Sequence, residues 1–70
     1  MEKATIHGHI VGYDSSTFPA MRYLMYELND AEAKVFFDQA YNHGSAVFED
    51  RLGEHFKLLH AGAEYQIIKQ

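Results

Sequence analysis

Apolar and polar positions alternate from Ala4 to Tyr13 with the period of a strand. Thr5, His7, His9, Val11 and Tyr13 fall on one face, and Ile6, Gly8, Ile10 and Gly12 on the other. This predicts a first strand over residues 4–13. Two glycines on one face mark a bulge or the close approach of another element. Asp14-Ser15-Ser16-Thr17 follows as a loop, because short polar side chains bond nearby backbone there. The next stretch carries two rhythms. Met21, Leu24, Met25 and Leu28 recur at the spacing of a helical stripe, and Pro19 suits a first helical turn. Against a helix stand the aromatics of Arg22-Tyr23-Leu24-Met25-Tyr26 and the immediate restart of helix signals at Asn29-Asp30. The reading adopted is a second strand over residues 20–28, pairing back on the first. The alternative is a second helix and one strand fewer.

From Asn29 onward the signals agree. Glu32 stands three residues after Asn29, the spacing of a capping box. Ala33, Phe36, Phe37, Ala40 and Tyr41 form an apolar helix face, and Lys34 and Asp38 pair at i, i+4 on the exposed side. A helix to about His43 is predicted, closed by Gly44 where a left-handed residue is wanted. Three strands follow over Ser45–Asp50, Glu54–His60 and Ala63–Lys69, with turns at Arg51-Leu52-Gly53 and Ala61-Gly62. Phe48, Phe56, Leu58, Tyr65 and Ile67 share the face expected to pack on Phe36, Phe37 and Ala40. The opposite face carries Glu49, His55, Lys57, Glu64 and Gln66, with Val47, Leu59 and Ile68 as a small apolar patch. The predicted fold is α+β. Residues 1–70 form a single domain in which an antiparallel sheet of four to five strands packs on one main helix, in the order ββαβββ.

Composition narrows what such a domain can do. A chain of 70 residues obtains only about 3–5 kcal/mol from its own core, so a metal or a second subunit is a useful addition. Disulfides, thiol catalysis and Cys-based zinc sites are excluded, because there is no Cys. The net charge is −4, and Lys3, Arg22, Lys34, Arg51, Lys57 and Lys69 form no stripe, which argues against nucleic-acid binding. No apolar run approaches the ~18 residues of a membrane span. The N-terminus has no signal-peptide pattern. A cytoplasmic location without a membrane partner is therefore expected.

Little in the sequence carries chemistry. His7 and His9, at i, i+2 on a predicted strand, project from one face about 6–7 Å apart, close enough to share a divalent transition metal. A third ligand is needed, from His43, His55, His60, Glu49 or Glu64, and no spacing demands one; the plainer reading is solvated or ring-stacked histidines. Five His residues also offer a pH response, since imidazole titrates between about pH 5 and 8. Asp14-Ser15-Ser16 lacks the base and oriented acid of a nucleophilic triad and reads as a turn. Glu49, Asp50, Glu54 and Glu64 sit at strand ends and turns, where solvated charge is the default. The aromatics Tyr13, Tyr23, Tyr26, Phe18 and Phe48 lack the basic groove that single-stranded nucleic acid requires.

The remaining signal is a mismatch between apolar surface and available cover. One helix cannot cover both faces of a sheet, and a second copy of the chain is the simplest cover for the other. The expected function is a non-enzymatic protein–protein interaction or regulatory module that forms a homodimer or presents the same surface to another protein. It needs no cofactor, and its interface is expected at Phe18, Met21, Tyr23 and Met25. A metal-binding protein using His7 and His9 is the first alternative. A small enzyme with a site between subunits is the second.

Overall fold

Helix α2, Asp30–His43, starts and stops where its residues dictate. The Asn29 side chain accepts from the Glu32 N–H at 2.8 Å, and the Glu32 carboxylate accepts from the Asn29 N–H at 3.0 Å, completing the capping box. At the other end Gly44 takes φ +90°, a conformation that costs any residue with a Cβ, and its N–H returns to the Ala40 carbonyl at 2.8 Å. The computed structural model describes residues 2–70.

The meander after α2 follows the predicted alternation. Strands β3 (Ser45–Glu49), β4 (His55–Ala61) and β5 (Glu64–Lys69) pair antiparallel, with Phe48 opposite Phe56 and Leu58 opposite Ile67. Ala46, Phe48, Phe56, Leu58, Tyr65 and Ile67 point inward and are buried with Ala33, Phe37 and Ala40 of α2. Ring stacking supplements this burial: Phe37 meets Tyr65 edge-on at 4.9 Å, and Phe36 lies 5.7 Å from Phe48.

The N-terminal part differs from expectation in three ways. Residues 4–13 do not form one strand. They form a hairpin of β1 (Glu2–Ile6) and β2 (His9–Tyr13), closed by a two-residue turn at His7-Gly8. Both turn residues have positive φ, +49° and +87°, the type I′ geometry whose twist suits a tight hairpin. The turn places Ile6 directly opposite His9, so Ala4 and Ile6 join Val11 and Tyr13 on the inner face, while Thr5 goes outward.

The second correction concerns residues 20–28, which are helical and not a strand. Helix α1 covers Phe18–Arg22 and passes directly into a π-helical turn, Tyr23–Glu27, where the Leu28 N–H donates to the Tyr23 carbonyl five residues back. The stripe decided the outcome. Ala20, Met21 and Leu24 are buried against the sheet, with Met25 and Leu28 packed around them. Pro19 sits in the first turn, where its missing N–H costs nothing.

The third correction is that the sheet is mixed, not antiparallel throughout. Its order is β1-β2-β5-β4-β3, and the hairpin joins the meander through a parallel pairing of β2 with β5, Val11 beside Tyr65 and Gly12 beside Gln66. The element order is ββααβββ with the π turn between the helices, so five strands are reached by a different division of the chain than ββαβββ. Among the described residues no helix is long and apolar enough to cross a membrane.

Candidate interaction surface

Both helices contribute to the one buried cluster on the inner face of the sheet. Among the described residues the outer face has no second layer. It is built from the alternate residues of the same strands. Lys57 of β4 lies between Val47 of β3 and Ile68 of β5, and Leu59 lies between Ser45 and Gln66. Ile10 of β2 stands beyond β5 and is 44 % exposed, and Val47 is 50 % exposed. Leu59, Ile68, Lys57 and Gln66 are half-buried by their neighbours within the sheet. The patch of Val47, Leu59 and Ile68 expected from alternation is thus present on the outer face, with Ile10 on the same face at the level of Glu64.

Charges of both signs surround these apolar side chains. Lys3 pairs with Glu64 across the face at 2.8 Å, and Glu49 lies 3.6 Å from His55. Lys57, in the middle, has no carboxylate partner among the described residues.

The residues expected at an interface are divided between the core, the covering layer and the rim. Met21 is in the core, only 6 % exposed. Tyr23 stacks on Phe48 at 6.4 Å, and Met25 is half-buried beside it, so both belong to the covering layer. Phe18 is the exposed member, on the rim beside Tyr13. The reason is the helicity of this segment: as a strand it would have needed cover, and as a helix it supplies cover. Ile10 and Leu52 are exposed apolar residues that sequence reasoning did not single out. Alternation pointed to Ile10, but no local signal pointed to Leu52.

His7 and His9 do not share a strand face, because His7 belongs to the turn. His7 Nε2 donates to the Leu24 carbonyl at 2.9 Å, and its Nδ1 pairs with the Asp30 carboxylate. Leu24 belongs to the π turn and Asp30 opens α2, so His7 ties the hairpin to both helical segments. Both ring nitrogens of His7 are thus engaged by protein oxygens in this arrangement. The ring of His9 stacks on Phe37 at 4.3 Å and meets the edge of Tyr65 at 5.3 Å. No group of three or more His, Asp or Glu residues is placed to share a metal among the described residues.

The remaining polar candidates serve the backbone. Ser16 Oγ donates to Asp14 Oδ1 at 2.6 Å, which holds the Asp14 carboxyl below its usual range; burial opposes this, and the Thr17 and Ser16 N–H groups add lesser lowering contributions. Asp50 is buried, and its Oδ1 accepts from the N–H groups of Leu52 and Glu54. Burial among rings, with Asp38 and Tyr41 nearby, pushes the Tyr65 phenol up.

Compared with protein-family models, with curated proteins and with solved structures, the chain finds no match.

Proposed function

We propose that this domain is a protein–protein interaction module that self-associates through the outer face of its sheet, without catalysing a reaction. The observation that carries the reading is the one-sided cover: Ile10, Val47, Leu59 and Ile68 lie on the strands opposite the helices. A second copy fits this face because the face carries both signs of charge. A two-fold arrangement can set the unpaired Lys57 of one copy against Glu49 or Glu64 of the other, which a purely acidic or basic partner would not match.

Size sets the expected strength. Five strands about 4.8 Å apart, each near six residues at about 3.3 Å per residue, present a face on the order of 500 Å2 in projection. This is smaller than the about 800 Å2 per partner of a standard interface, so the dimer is expected to be transient. Sedimentation across a concentration series up to about 1 mM, where even weak complexes populate, tests this. The average mass should climb toward twice the monomer mass, and Val47→Glu should hold it at the monomer. A protein that stays monomeric throughout overturns self-association. A dimer indifferent to Val47→Glu and Leu59→Glu overturns the face.

A further inference from the structure

A groove of about 270 Å3 runs between the π-helical turn and the β3–β4 loop, on the helical side of the molecule. Its loop wall is held from within. Asp50 Oδ1 accepts from the Leu52 N–H at 2.9 Å and the Glu54 N–H at 3.0 Å, and the Gly53 N–H donates to the Asp50 carbonyl at 3.1 Å. The loop so fixed presents Leu52, 81 % exposed, and the helical wall presents Tyr26, 70 % exposed. Large side chains held outward by an ordered backbone lose little freedom on binding. Tyr and Arg are also the residues that dominate interface energetics.

Charge decides the kind of partner. Among the six Lys and Arg residues, Lys3, Lys34, Arg51 and Lys69 each pair with a carboxylate. Arg51 spans the groove to Glu27 at 2.7 Å, and the Asp50 carboxylate is turned into its own loop, so these three charges are already compensated. Arg22 has no carboxylate partner among the described residues. Its guanidinium carbon lies 5.9 Å from the ring centres of both Phe18 and Tyr26. A guanidinium resting on aromatic faces keeps in-plane N–H donors available for a planar carboxylate. We propose that this groove binds a segment of a partner protein carrying Asp or Glu next to an aromatic or aliphatic side chain. The carboxylate sits on Arg22, and the apolar side chain sits between Tyr26 and Leu52. The site is distinct from the sheet face and does not require the chain to self-associate.

Selection from a random-peptide display library, run on the wild-type protein and on Val47→Glu, tests the proposal. Both should enrich peptides with an acidic residue beside an aromatic or aliphatic one. In fluorescence-polarisation titrations of an enriched peptide, Arg22→Glu and Leu52→Asp should each weaken binding about tenfold or more. Arg22→Lys, which keeps the charge but not the planar fork, should fall between Arg22→Glu and wild type. Val47→Glu should bind as wild type does, whatever becomes of self-association. All of these positions are exposed, and circular dichroism should show unchanged folding. The proposal is overturned by a library that enriches nothing, by enriched peptides without acidic residues, or by affinity that survives Arg22→Glu. It is also overturned if inorganic phosphate, and not the peptides, shifts the amide resonances of Arg22 and Tyr26, which would make the groove a phosphate site.

Discussion

The two faces of this sheet are made by the same strands yet differ in almost every physical respect. The inner face is continuous: Phe48, Phe56, Leu58, Tyr65 and Ile67 close against Phe37, Ala40 and Leu24, with almost no exposure. On the outer face Val47, Leu59 and Ile68 are interrupted by Lys57 and Gln66, and no second layer follows among the described residues. Backbone hydrogen bonding is common to both faces, so it cannot account for the difference. The difference lies in side-chain chemistry and in which face the helices cover. Stability therefore resides on one side of the sheet, and the other side leaves Ile10 and Val47 exposed to solvent.

Core truncation gives the largest contrast. Phe37→Ala is expected to cost about 3–5 kcal/mol, comparable with the whole about 3–5 kcal/mol that a core of this size supplies. Urea unfolding should find the variant largely unfolded at 25 °C. Val47→Ala on the outer face should cost less than about 1 kcal/mol; equal losses at the two sites would mean that the outer face is as closed as the inner one. His7→Ala should follow, at about 1–3 kcal/mol, because it leaves the Leu24 carbonyl without its partner and unties the hairpin from the helical layer. Hydrogen exchange should rise first in the π turn. If protection there is unchanged, the His7 tie does not hold the layer. Asn29→Ala removes one half of the capping box at the start of the covering helix and should cost about 1 kcal/mol in thermal melts.

The smallest effects come from pH. Tyr65 is raised by burial, so the folded chain keeps its phenolic proton longer than the unfolded chain does. The resulting stability is present below the ordinary tyrosine range near pH 10 and is lost as pH rises through the folded value. Tyr65→Phe should flatten the alkaline limb of a stability–pH curve. Asp14 behaves in the opposite sense. Its lowered carboxyl favours the fold above the ordinary aspartate range, and this contribution fades as pH falls through the folded value. Asp14→Asn should flatten the acid limb slightly.

What the sequence determined alone lies mostly after residue 29. The Asn29–Glu32 capping box, the left-handed Gly44 and the alternation of β3 to β5 are interactions between near neighbours, and each leaves its mark in adjacent residues. The inner face of the meander and the Val47-Leu59-Ile68 patch were legible for the same reason. The N-terminal part depended on longer-range decisions. His7-Gly8 lacks the Asn or Asp that usually announces a type I′ turn, and alternation continues through it, so one strand and a hairpin look alike until the inner face must be filled. Residues 18–27 satisfy either period locally. They became helical in a fold whose sheet was completed by splitting residues 4–13 and whose inner face still needed cover. The pairing of β2 with β5 joins residues more than fifty positions apart, and nothing near Val11 or Tyr65 specifies it. The groove of Arg22, Tyr26 and Leu52 arises from the same tertiary choice, since only a helical segment beside the β3–β4 loop brings those side chains together.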